Sequence, residues 1–259
     1  PPPPPPPPPT PTGMDLGERK NLCVKVAVPR NERMNPQEEA RMLSAHISNM
    51  KNRGNVNGVL DIYVQNRKSL NHIHFSNIFG TFGKSQNPRE VAARLAKDER
   101  FPLLMNDTCE KMKQAEFFDV QALAIITHSL GKMKMKNEDT NGFFSLVENH
   151  TEMIVRDANV LELSNITWAF ASADFRSDRL FDAIAGQRER IARDGDVQYM
   201  ANICWAFATN GHKHDLLFDA VAGQADRIKR SENDQDYNNI VWAFATTNHK
   251  SEVFREGGY

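Results

Sequence analysis

Polar side chains recur at fixed intervals along the chain, so they could contact a ligand one after another. The intervals divide the chain into similar copies, and we call a set of equivalent positions in these copies a column. Asparagine dominates one column, and the column three residues earlier carries a different residue in each copy. The first column is Asn77, Ile125, Asn165, Asn202 and Asn239, and the second is His74, Ala122, Glu162, Tyr199 and Asp236. A constant amide beside a variable group suits the recognition of unstacked bases in single-stranded RNA. The alternative is structural: the asparagines bond the turn of the next copy, and the variable side chains are solvated.

Lysines extend the same stripe and could contact phosphates. Lys84 and Lys132 continue it, and Lys132, Lys134 and Lys136 alternate in what the sequence predicts to be a loop. Arg67 and Lys68 are further candidates for phosphate contacts. Phosphate contacts would make affinity fall with salt, whereas a solvated loop is the alternative. The net charge of −1 gives the whole chain no basic footprint. Residues 1–100 nevertheless carry a net +6, so phosphate contacts are expected to favour the first half.

No set of residues predicts catalysis, a cofactor or a bound metal. Two histidine pairs stand two residues apart, His72 with His74 and His212 with His214, but neither has a third ligand nearby in the sequence. The three cysteines are far apart, so they predict neither a disulfide framework nor a zinc site. No activated nucleophile, glycine-rich phosphate loop or paired carboxylates stand out. We therefore expect a protein without enzymatic activity.

These residues belong to an internal repeat. The pattern Asn-Ile-x-Trp-Ala-Phe begins at Asn165, Asn202 and Asn239, a spacing of 37 residues. Two more diverged copies have their equivalent positions at Asn77 and Ile125. A fixed period of this size indicates one supersecondary unit that buries its apolar face by stacking on its neighbours.

The first part of each copy is predicted to be a helix. A residue suited to capping precedes each one: Asn71, Asp119, Asn159, Asp196 and Asn233. Apolar residues then follow at i, i+3 and i+7, which is the spacing of a helical stripe. Two columns of small residues, which include Gly83 and Gly131, predict close approach between neighbouring helices.

The tryptophans at 168, 205 and 242 could stack on bases, but we expect them to pack between repeats.

A second helix is predicted in each copy from Leu180–Gln187 and from its equivalent, Leu217–Gln224. Each is expected to open behind an aspartate, Asp178 or Asp215. Gly186 and Gly223 weaken a helix by about 1 kcal/mol each relative to alanine. We interpret them as positions where two helices cross closely.

The sequence as a whole predicts an all-α fold, a right-handed α-solenoid of stacked helical hairpins. Residues 1–34, which open with nine prolines, are expected to be disordered. Residues 35–259 are expected to form the repeat domain, with a first helical pair at 35–68 and then five repeats, the last truncated. Within that pair, a helix from Asn35 to about Met50 should precede a break near Gly54 and a second helix at Val56–Asn66. No apolar run is long enough to span a membrane.

The repeat resembles the octotricopeptide repeats and the related helical repeats of FAST-kinase-like and RAP-domain proteins. The resemblance lies in Asn-Ile-x-Trp-Ala-Phe-Ala followed by Leu-Phe-Asp-Ala-Ile-Ala, and it covers the chain from about residue 36. It implies binding of single-stranded RNA, whether transcripts or ribosomal RNA, in a mitochondrion or chloroplast. It also implies effects on RNA processing, stability or translation, with other organellar RNA-processing proteins as partners. No RAP domain is recognised, so a nuclease activity is not carried over.

A protein-interaction scaffold is the alternative function, because stacked helical repeats also offer extended surfaces to polypeptides. A structural subunit associated with an organellar ribosome would combine both modes. Overall neutrality favours the scaffold, and the resemblance favours RNA.

Overall fold

The computed structural model describes residues 35–114 and 116–250, and every regular element within these ranges is an α-helix. The predicted all-α class is confirmed. The described residues contain α1 Pro36–Asn52, α2 Val56–Asn66, α3 His72–Gly83, α4 Pro88–Leu95, α5 Arg100–Met112, α6 Val120–Met133, α7 Glu138–Asn149, α8 Thr151–Asp157, α9 Val160–Ser172, α10 Asp178–Ala185, α11 Arg188–Asp194, α12 Val197–Thr209, α13 Asp215–Ala222, α14 Ala225–Lys229 and α15 Asp234–Thr246. None of these helices is long and apolar enough to cross a membrane. The predictions for 1–34 and for the residues after 250 lie outside the described ranges.

Six helices form a continuous row, in which each packs against the equivalent helix of the next unit. The contacts run from α1 to α3, α6, α9, α12 and α15 in chain order, and we call these six the helical row. The other helices lie behind it and form their own contacts, α2 with α5, α5 with α7, α8 with α10, and α11 with α13. The chain therefore alternates between the helical row and a second layer.

The predicted helix starts are confirmed. Each of the five predicted caps accepts a hydrogen bond from a backbone N–H of the helix that it precedes. The predicted first helix begins with a capping box between Asn35 and Glu38 and ends at Asn52. Gly54 then has a φ of +61°, and α2 follows at Val56–Asn66. Local capping chemistry therefore sets where these helices begin.

The apolar stripe forms the core of the helical row. Ile78, Ile126, Ile166, Ile203 and Ile240 each have no exposed surface. Burying an isoleucine side chain contributes about 1.5–3 kcal/mol, so each repeat gains stability from this one position. Trp168 and Trp205 are also buried, and their rings stack between α9 and α12 with centroids 6.4 Å apart. The expected packing of tryptophans between repeats is confirmed for this pair.

Small residues allow neighbouring row helices to touch, as predicted. A Cβ on Gly83 would lie 3.0 Å from the Cα of Ser129, and one on Gly131 would lie 2.7 Å from the Cα of Ala169. These glycines therefore set the distances from α3 to α6 and from α6 to α9.

A recurring turn at the ends of the row helices is a feature that the sequence reasoning missed. The residue that ends α6 and the equivalent residues after α9, α12 and α15 have left-handed φ values: Lys134, Asp174, Gly211 and Asn248. After α9, α12 and α15 the next N–H donates to a phenylalanine carbonyl five residues back, from Phe175, His212 and His249. This is the Schellman motif, and it directs the chain identically towards each second helix. Only one of the four residues is glycine, so the usual sequence signal is weak.

The second helices differ from the prediction in two ways. Ser177 and His214 are the caps of α10 and α13, and Asp178 and Asp215 are the first helical residues. Gly186 ends α10 and Gly223 ends α13, so the predicted helix is broken there and continues as α11 or α14. A Cβ on Gly186 would meet Ala183 O of its own chain at 3.1 Å, so the predicted close helix crossing is wrong.

Replacing Gly131 by alanine should destabilise the protein, because its new Cβ would collide with the backbone of α9. We expect a loss of about 1–3 kcal/mol in the free energy of unfolding. The matched control is Gly142→Ala in α7, where nothing lies within 4 Å of the added Cβ. That change should stabilise by up to about 1 kcal/mol. Urea unfolding followed by circular dichroism measures both, and equal midpoints for the two variants would contradict this packing.

Candidate nucleic-acid interface

One face of the helical row carries the asparagine column, the variable column and the lysines that continue them. We call it the polar face. Asn77, Asn165 and Asn202 are half-buried, so part of each residue reaches solvent. Lys84 is exposed at the end of α3. The row thus places most of the predicted side chains on one surface, in the order of the repeats.

His74 is an exception, because it is completely buried. Its Nδ1 accepts a hydrogen bond from the N–H of Asn71, 3.0 Å away, and its Nε2 lies 3.0 Å from Ala40 O. An imidazole that accepts at Nδ1 carries its proton on Nε2, which can donate to that carbonyl. Burial lowers the pKa of His74, which favours this neutral ring. His74 therefore caps α3 and offers no surface to RNA, contrary to the prediction.

Glu162 combines capping with partial exposure. Its Oε2 accepts from the N–H of Asn159 at 2.8 Å, which completes a capping box at the start of α9. The side chain is half-buried, as is Tyr199 at the equivalent position of α12. These two members of the variable column remain accessible.

Asp236 and Asn239 are buried, with 3% and 0% of their surface exposed. Burial, and to a smaller extent the nearby Asp196 carboxylate, raises the pKa of Asp236 to about 6. Both residues were predicted to face RNA, and in the structure neither presents that surface. Burial beside α12 is a tertiary effect that the column pattern did not reveal.

The structural alternative expected the asparagines to bond the turn of the next copy. The contacts of Asn77, Asn202 and Asn239 do not show such bonds. Asn77 Oδ1 accepts from the Lys51 ammonium group at 2.9 Å. The carbonyl oxygen of Asn202 and both polar atoms of Asn239 have no hydrogen-bond partner. A buried polar atom without a partner costs about 1–3 kcal/mol. The Asn202 oxygen has almost no accessible surface, so it is not available to a ligand, and only the rest of this half-buried side chain reaches solvent.

Lys51 is a residue of the polar face that the sequence reasoning missed. It crosses from α1 onto α3 because Gly80 has no side chain where later repeats carry His128 or a tryptophan. The Lys51 Nζ would lie 3.0 Å from a Cβ placed on Gly80. Burial and then repulsion from Lys84 lower the pKa of Lys51. The glycine in an otherwise aromatic column was the available signal.

The predicted lysines lie at the C-terminal end of α6. Lys132 is in its last turn rather than in a loop, and Lys134 caps the helix with a left-handed φ of 51°. Burial lowers the pKa of both lysines, and Arg89 and Lys136 add repulsion at Lys134. A bound anion would favour the charged form of these lysines. The ends of α3 and α6 therefore present positive charge beside the asparagine column.

The histidine pairs make contacts between repeats. His72 Nε2 lies 3.4 Å from an Asp119 oxygen, and His212 Nε2 lies 2.9 Å from Asp182 Oδ1. His214 caps α13. Among residues 35–114 and 116–250, no group of three or more His, Cys, Asp or Glu side chains could hold a metal ion.

No protein-family model matches the chain, and no curated protein sequence matches it significantly. The resemblance to octotricopeptide repeats therefore stands on the repeat motifs themselves.

Asp236→Asn should stabilise the protein above about pH 6. The folded-state pKa of about 6 exceeds the ordinary value of 3.8, so the folded protein holds this proton more tightly. Wild-type stability should consequently fall, relative to the variant, as pH rises from about 4 to 6. We expect a gain of about 1–2 kcal/mol at neutral pH, after a discount for solvent screening, and none below about pH 4.

Chemical denaturation at a series of pH values measures this difference. The matched control is Asp234→Asn, which removes the same charge from an exposed position two residues earlier. A pH-independent difference, or an equal effect of the control, would contradict the assignment.

Proposed function

We propose that the stacked hairpins form a right-handed α-solenoid with repeats of about 37 residues, whose polar face binds single-stranded RNA. The ordered contacts within the helical row support a linear stack. A linear stack presents its equivalent side chains in sequence order, which matches the linear order of bases in a strand.

The observation that carries the RNA proposal is the juxtaposition of amides and cations on this face. Lys51 donates to Asn77, and its pKa responds to Lys84, so two ammonium groups lie beside the asparagine column. Amides provide donors and acceptors for base edges, and lysines neutralise phosphates. Unstacked bases expose those edges, which favours a single strand over a duplex.

The repeat resemblance supports a role in a mitochondrion or chloroplast. There the protein would regulate the processing, stability or translation of transcripts, alongside other RNA-processing proteins. Its own contribution would be binding, without catalysis. The near-neutral charge of −1 favours the alternative of a protein-interaction scaffold or a ribosome-associated subunit, and RNA titration separates the two.

The protein should bind a mixed-sequence single-stranded RNA with an affinity that falls as salt rises. Replacing both Lys84 and Lys132 by alanine should reduce the slope of log affinity against log salt by about 1.4, since each phosphate contact contributes about 0.7. Fluorescence anisotropy at several salt concentrations measures this slope. The control carries Lys97→Ala and Lys229→Ala, two exposed lysines outside the helical row. A scaffold would show no salt-dependent affinity for RNA, and that result would refute the proposal.

A further inference from the structure

Four exposed cations occupy equivalent positions just beyond the last four row helices. Each comes two residues after the left-handed residue that ends or follows its helix, and all four are exposed: Lys136, Arg176, Lys213 and Lys250. Their spacings are 40, 37 and 37 residues, so they follow the repeat. We call these four residues the basic edge.

The backbone fixes where these side chains emerge. The Schellman turns after α9, α12 and α15 share the same hydrogen bonds, so their cations leave the chain at equivalent points. Lys136 reaches along the row to Asp174 of the next repeat, with Nζ and Oδ2 2.8 Å apart. Arg176 does likewise, since its Nη2 would lie 3.8 Å from a Cβ on Gly211. The charges thus extend along the row from one repeat to the next.

The carboxylates that contact the basic edge hold it only weakly. In the pair between Lys136 and Asp174 the side chains are 62% and 74% exposed, and in the pair between Lys213 and Asp215 they are 53% and 61% exposed. Ion pairs this exposed are screened by solvent and contribute little to stability. A phosphate can therefore replace either carboxylate at little cost.

The opposite edge of the row carries carboxylates without cations. No Lys or Arg occurs at the cap or the first three helical positions of α3, α6, α9, α12 or α15. Accessible carboxylates at these positions of α6, α9, α12 and α15 are Asp119, Glu162, Asp196 and Asp234. Helix dipoles favour an anion at N-termini only modestly, and here side chains already cap the free amides. A phosphate would meet full negative charges there.

We propose that the basic edge binds the sugar-phosphate backbone of single-stranded RNA, with one cation per repeat. The strand then runs across the C-terminal ends of the row helices, with its bases turned towards the asparagine column. The carboxylates of the opposite edge repel phosphates and accept hydrogen bonds from base amino groups, so they fix the same orientation. This inference rests on the RNA binding proposed above and adds the path and orientation of the strand.

The test compares two variants that each remove four positive charges. The first replaces Lys136, Arg176, Lys213 and Lys250 by alanine, and the control replaces Lys97, Lys113, Arg193 and Lys229. All eight side chains are exposed. In both sets, two of the cations are paired with carboxylates; in the control these are Lys113 with Glu110 and Arg193 with Asp194. Affinities for fluorescent oligo-U, oligo-A and oligo-C are measured across a range of salt concentrations.

Loss of the basic edge should lower the slope of log affinity against log salt by about 3, because each of the four phosphate contacts contributes about 0.7. Affinity at low salt should fall on the order of 10- to 100-fold, by a similar factor for each RNA, because backbone contacts carry no sequence information. The control should change affinity less than about twofold. A third variant keeps the charges by exchanging Lys for Arg and Arg for Lys at the four positions, and it should retain wild-type binding. Thermal melts compare the folding of all three variants.

If the wild-type protein binds RNA and the basic-edge variant has an unchanged salt slope, this inference is overturned and the proposed function remains intact. Equal losses in the control would also overturn it, since they would report net charge alone. A loss confined to one base would identify base contacts instead of backbone contacts. Wild-type protein without salt-dependent RNA binding would refute both proposals. Binding of an acidic peptide in place of RNA would assign the basic edge to a protein partner.

Discussion

Close packing between successive row helices is the constraint on which the rest of the structure depends. The isoleucine column has no exposed surface, and Gly83 and Gly131 leave no room for even a methyl group against the following helix. The rotation of each helix about its axis is therefore fixed by its neighbours. Since side chains three and four residues apart share a helix face, fixing the buried stripe also fixes the polar face. The position of every asparagine follows from that packing.

The polar face serves folding as well as the RNA binding proposed for it, and folding uses part of the variable column. His74 and Glu162 both reach back to the start of their own helix, where the first backbone amides lack intrahelical partners. A side chain bonded in this way is less free to contact a ligand. Tyr199 occupies the equivalent position in α12, where the cap is Asp196 and its carboxylate bonds the first helical amide. The variable column is thus best able to contact bases where the cap needs no help from it.

Local chemistry made much of this architecture predictable from the sequence. The caps, the apolar columns and the small residues each act within one helix or between equivalent helices, so their spacing in the sequence carries over to the structure. What escaped prediction depends on distant residues or on unusual backbone. Asp236 and Asn239 are buried by tertiary packing, Lys51 reaches the polar face from a different helix, and Asp174 and Asn248 adopt a left-handed conformation without being glycine.

The net charge of the chain also fails to predict how charge is distributed over the helical row. A net charge of −1 suggests a surface indifferent to nucleic acid, yet the charges are unevenly distributed over the helical row. The N-terminal edge carries carboxylates without Lys or Arg, and the C-terminal edge carries one exposed cation in each of four repeats beside exposed aspartates such as Asp174 and Asp215. The carboxylates lie at helix N-termini, where they stabilise the helix dipole. Lys136, Arg176 and Lys213 instead lie directly before Asn137, Ser177 and His214, the caps of α7, α10 and α13, where the dipole disfavours a cation. Helix stability therefore accounts for the carboxylates and not for these cations. The cations are exposed on the turns that follow the row helices, so their charges recur at regular intervals along the row. A ligand with regularly spaced negative charges would match that spacing.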